Sequence, residues 1–154
     1  MKKLIEIFRI VFISTEFWAL LILILFFLFY DKPFNDIGIL LLSKKYIFET
    51  TSLFFFAYLG FTITYCWKIL KPKENNRILY EWEDYWRLKY RALISIIIVF
   101  LSVLLFFVVW FFKDRLSTKA VGISYSISVF IPLVTNFCLL LAAFRINEML
   151  DLTE

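Results

Sequence analysis

Residues 92–112 are 21 consecutive positions without a charged side chain, filled mainly by Ile, Leu, Val and Phe. As a helix this run is about 31 Å long, which matches the hydrocarbon thickness of a bilayer. The run does not begin at a turn. Residues 74–91 precede it with neither Gly nor Pro, so the 39 residues from 74 to 112 can form one helix, because no backbone chemistry obliges it to stop. The first half of that helix is dense in charges and large aromatics. The pattern predicts a helix that crosses a membrane and projects beyond it with a Trp and Tyr surface attached.

Composition agrees with lipid as the solvent. The set AVILMFWYC makes up 62% of the chain, 20 residues are Phe and the mean hydropathy is +0.83. An ordinary globular domain is about 45–50% apolar. Lys and Arg number 17 against 13 Asp and Glu, a net charge of +4. The basic residues gather beside apolar runs, as membrane orientation requires, so direct nucleic-acid binding is not expected.

Chemistry is sparsely equipped. There is no His, which removes the commonest general base and metal ligand. Cys66 and Cys138 both stand inside apolar runs. Two thiols without His partners cannot complete a zinc shell, and they read as buried, inert groups rather than a disulfide framework. The glycines, Gly38, Gly60 and Gly122, are too scattered for a phosphate loop. The acids Glu74, Glu81, Glu83 and Asp84 read as the solvated face of a helix rather than a catalytic pair. No enzyme activity, cofactor or metal is expected.

Four spans are expected in one membrane domain covering residues 1–154, at about 10–30, 51–70, 92–112 and 121–144, with a helical extension at 74–91. Residues 1–3, Met-Lys-Lys, resemble the start of a signal peptide. The apolar stretch that follows is too long for one and lacks a small-residue cleavage site, so it reads as retained. The first span carries Glu16, either a polar contact or ion-pathway residue within the bundle or, more simply, a side chain snorkelling at the start of a helix. Pro33 is expected to end this span, and Asn35 and Asp36 to cap a short interfacial helix through residues 37–42.

The second span sets Ala57, Gly60 and Thr64 on one stripe, a face expected to meet another helix, since helices in lipid associate through small residues. The fourth has a small, weakly polar seam of Ser124, Ser128, Ile131, Thr135, Cys138 and Ala142, with Asn136 beside it. Pro132 within that span predicts a kink and a freed carbonyl. With the N-terminus inside, 11 basic residues lie on the inner side and 6 on the outer. That bias predicts cytoplasmic termini at both ends.

On a helical wheel Ile78, Leu79, Trp82, Tyr85, Trp86, Lys89 and Tyr90 fall within about 140° of arc. Glu81, Glu83, Asp84, Arg87 and Arg91 occupy the opposite side. Acidic residues there argue against a purely lipid-bound helix. An oligomer contact or a dock for a cytoplasmic protein is expected instead.

Four spans, inner termini and the 74–91 projection together resemble the small four-helix membrane subunits of bacterial anti-phage systems, such as the membrane component of Kiwa. The resemblance is one of architecture and covers the whole chain. It implies a sensor anchored in the bacterial inner membrane that holds a cytoplasmic effector and responds when infection disturbs the envelope. A lone bundle of this size has little room for a transport path, so a homo-oligomer is expected. Two other readings stand beside it. One is a homo-oligomeric channel or holin-like pore lined by Glu16 and the Ser124–Ala142 seam, and the other is a bacteriocin immunity protein.

Overall fold

The computed structural model describes residues 15–44, 46–70 and 85–151, and every regular element among them is helical. The helices are α1 Thr15–Phe29, α2 Asp31–Ser43, α3 Tyr46–Leu70, α4 Tyr85–Phe112 and α5 Thr118–Asp151. A 3-10 turn, Lys113–Arg115, leads from α4 to α5. The segments Tyr46–Leu70, Tyr85–Arg115 and Thr118–Phe144 are each long and apolar enough to cross a membrane. α1 and α2 make a fourth span only when taken together, and they bend by 96° at their junction. This is compatible with a multi-pass membrane protein.

The bend corrects the expected path between the first two spans. The helix breaks at Tyr30, where φ is −130° and ψ is 86°. Pro33 does not stop anything. It lies in the first turn of α2, where the backbone N–H it lacks would have no intrahelical acceptor. α2 has 13 residues rather than the six expected, with Asp31 in its first turn, where a carboxylate complements the helix dipole. Asn35 caps nothing there, because its Oδ1 accepts a hydrogen bond from Thr118 Oγ1 at 2.7 Å.

α5 touches all four other helices. Its start lies hard against α2, through two glycines. A Cβ on Gly38 would run into the Thr118 carbonyl, and one on Gly122 into the Phe34 carbonyl. Neither position can carry a side chain without separating the two backbones. Ser117 opens α5, accepting from the Ala120 N–H through its side chain at 3.3 Å and from Val121 N–H through its carbonyl at 3.0 Å, as an N-cap serine does.

The core has two parts. Near the turn between α4 and α5, Phe48, Phe55 and Phe106 are fully buried with Leu41, Val99 and Val121. The Phe55 and Phe106 rings lie 4.4 Å apart, and Phe48 stacks on Trp110 at 6.4 Å. At the other end Cys66, Ile69, Ala92 and Leu139 form a smaller cluster. Outside, Ile22, Leu28, Phe29, Leu53, Phe56, Phe111 and Phe144 are 61–78% exposed. So much contiguous apolar surface is a liability in water and ordinary against acyl chains.

Candidate functional site

α4 runs without a break from Tyr85 to Phe112, so the charged residues 85–91 and the apolar run share one helix. Ile78, Leu79 and Trp82 lie outside the described residues, as do 71–77, 80, 81, 83 and 84. Of the expected docking face, Tyr85 turns inward. Its hydroxyl donates to the carbonyls of Ile69 at 2.8 Å and Leu70 at 3.3 Å, groups that the end of α3 leaves without helical partners. Lys89 and Tyr90 are exposed and Trp86 is half-buried. The Trp86 and Tyr90 rings meet edge to face at 6.0 Å, and the Arg87 guanidinium lies 5.4 Å from the centre of the Trp86 ring.

Arg91 was expected on the solvated face. Instead its Nη2 donates to Oε2 of Glu16. Glu16 is only 3% exposed, whereas the Arg91 side chain is 24% exposed. This corrects the snorkelling reading of Glu16. A lone carboxylate among apolar helices is expensive, and a guanidinium from the neighbouring helix offsets its charge without the side chain having to reach water. Beside the pair, Thr15 Oγ1 and Cys138 Sγ are 2.9 Å apart, so α1, α4 and α5 converge here. Glu16 Oε1 and Arg91 Nη1 are buried with no hydrogen-bond partner among the described residues. A mostly apolar cavity of about 50 Å³ lies on the Arg91 side of the pair, lined by Arg91, Ser95 and Cys138 together with Ile69, Leu88 and Leu139.

The pairing had a signal in the sequence. Glu16 is the lone acid of the first span and Arg91 the last charge before the 92–112 run, so both belong to the same boundary of the bundle.

The polar seam of α5 faces its own chain. Ser128, Thr135 and Asn136 are buried and Ser124 is half-buried. Ser128 Oγ donates to the Tyr125 carbonyl at 2.8 Å and Thr135 Oγ1 to that of Ile131 at 2.9 Å. Asn136 Oδ1 accepts from Thr62 Oγ1 at 2.8 Å, and Asn136 Nδ2 donates to the Pro132 carbonyl at 3.0 Å. Pro132 is buried inside α5, which continues through it.

The other stripe turns the opposite way. Ala57, Gly60 and Thr64 are exposed, Thr64 Oγ1 donates to the Gly60 carbonyl at 2.7 Å, and a Cβ built on Gly60 would meet nothing within 4 Å. Among the described residues no helix of the same chain covers it, so the helix expected against this stripe is not found within the protomer. Sequence reasoning also missed the contacts of the far end, Thr51 to Tyr125 at 2.8 Å and Asp31 to Lys119 at 2.6 Å.

No protein-family model, curated protein or solved structure matches the chain.

Proposed function

We propose that this chain is a subunit of the bacterial inner membrane, with four antiparallel spans and both termini in the cytoplasm. It acts as a scaffold or sensor, holding a cytoplasmic protein through residues 74–91. The observation that supports this most is the attachment of Arg91, the last residue of that segment, to Glu16. Tyr85, about 9 Å earlier on the same helix, is tied to the end of α3. The start of α4 is fixed against the bundle at both points, so a surface built on residues 85–91 is preorganised for binding. Any displacement of α1 relative to α4 acts directly on Arg91, which is the route from bundle to dock. The stimulus is disturbance of the envelope, in keeping with the anti-phage resemblance, and copies assemble through the outward Ala57, Gly60 and Thr64 face.

The test is affinity purification from membranes of the parent protein and of a Trp82→Ala, Trp86→Ala double variant. Insertion should be unchanged while a soluble partner disappears from the variant. Recovery of the same partner and the same cross-links from both would end this reading.

The pore alternative has less support, because Ser128, Thr135 and Asn136 are engaged inside the protomer. Conductance in planar bilayers that changes with Glu16→Gln or Asn136→Leu would favour it.

A further inference from the structure

We propose that the slot between α1 and α5 holds an acyl chain of a zwitterionic phospholipid, whose phosphate and primary ammonium pair with Lys119 and Asp31. The slot measures about 210 Å³ and is walled by Leu23, Phe27 and Leu28 of α1, Phe34 of α2, and Ile123 and Ile127 of α5. Among the described residues every side chain on that wall is apolar, so it offers water no hydrogen bond. Cavities of about 150 Å³ lined by Leu, Ile and Phe stay dry and accept a guest the size of benzene. Left empty, the lining would forgo its dispersion contacts. The guest enters from the side. Leu28 and Ile24, on the rim, are 67% and 45% exposed and belong to the apolar exterior of the bundle.

One end of the slot is charged. The Lys119 ammonium lies 5.3 Å from the centre of the Phe27 ring, which lines the slot, and 2.6 Å from Asp31 Oδ1. On α5, Ile123 and Ile127 follow Lys119 at about one and two turns, so the apolar wall runs about 12 Å from that residue. On α1, Phe27 and Leu28 stand beside the junction with Asp31, and Leu23 and Ile24 one turn further from it. A charged pair at the head of an apolar slot matches an amphiphile, and its signs select the head group. Both side chains are well exposed, and an ion pair in that setting is weak, so each charge can take a new partner. A purely anionic head would meet the Asp31 carboxylate, like charge on like. A quaternary ammonium has no N–H for that carboxylate, whereas a primary ammonium donates as lysine does. The inference requires only that the chain lies in lipid. No cytoplasmic partner enters it, so it and the proposed function fail separately.

Native mass spectrometry of the full-length protein in detergent tests it, with phosphatidylethanolamine, phosphatidylglycerol and phosphatidylcholine of identical acyl chains added at equal concentration. The phosphatidylethanolamine adduct should exceed each of the others by about fivefold, the size of an exposed ion pair. Asp31→Asn should abolish that excess and turn the preference to phosphatidylglycerol, because Lys119 then stands as a lone cation. Ile127→Phe fills the slot from inside, and Leu28→Trp covers it from the exposed rim. Either should bring the phosphatidylethanolamine adduct down to the level of phosphatidylcholine. The surface variant Asp31→Asn reads the head group even where a filling variant unfolds. Equal adducts of the three lipids on the parent protein, or a preference there for phosphatidylglycerol, would overturn the pairing with Asp31 and Lys119. A phosphatidylethanolamine excess that survives Leu28→Trp and Ile127→Phe would place the lipid elsewhere and overturn the slot.

Discussion

Thr62 and Asn136, 74 positions apart, meet in the middle of the bundle through a buried 2.8 Å hydrogen bond. The Thr62 hydroxyl also lies 2.7 Å from the Tyr58 carbonyl, so its single proton has two acceptors. The consequence is an asymmetry between the two partners. Thr62→Val leaves Asn136 Oδ1 buried without a donor and should cost about 1 kcal/mol. Asn136→Leu leaves Thr62 bonded to Tyr58 and should cost less. Thermal unfolding in detergent reads the order, and a reversed order would mean that Thr62 does not satisfy the amide oxygen.

The Glu16–Arg91 pair should show strong coupling. Arg91→Leu alone strands the buried Glu16 carboxylate, which typically costs about 3–5 kcal/mol, whereas Glu16→Leu leaves the partly exposed Arg91 and should cost less. The double variant Glu16→Leu, Arg91→Leu strands neither and should recover most of that loss. Denaturant-induced unfolding of the three variants measures the cycle. Additive losses would show that the two residues are not partners.

The three glycines should behave in two ways. Gly38→Ala and Gly122→Ala drive a Cβ into the facing backbone carbonyl, and each should lose about 1–3 kcal/mol or fail to fold. Gly60→Ala meets open space and should stabilise α3 by about 0.5–1 kcal/mol on helix propensity alone. Gly60→Leu extends the comparison to assembly. If copies meet at this face, the protomer stays folded while the mass of the detergent-solubilised complex falls, and an unchanged mass would move the contact elsewhere.

Tyr85→Phe removes the hydroxyl that serves the Ile69 and Leu70 carbonyls. Stability should drop by about 1 kcal/mol. Capture of a cytoplasmic partner should persist, because Tyr85 faces the bundle while Trp86 and Tyr90 do not. Loss of capture at unchanged stability would put Tyr85 back on the docking face.

What the sequence determined by itself was the class of fold, all-helical with runs long and apolar enough to cross a membrane. Apolar run length, the absence of breakers between residues 85 and 112, and the crowding of basic residues beside the runs are local properties, readable without knowing any neighbour. The tertiary structure alone decided which face of each helix met which. The outer face of these helices is as apolar as the core, so hydrophobic periodicity does not separate inside from outside. That is why Arg91, drawn on a wheel as a solvated charge, turned out to hold Glu16, and why the Gly60 stripe faced outward while Gly38 and Gly122, which no stripe had marked, lay at the tightest crossing. The break at Tyr30 has the same origin: a first-turn proline is tolerated in a helix, and only the packing of α2 against α5 selected where the chain would bend.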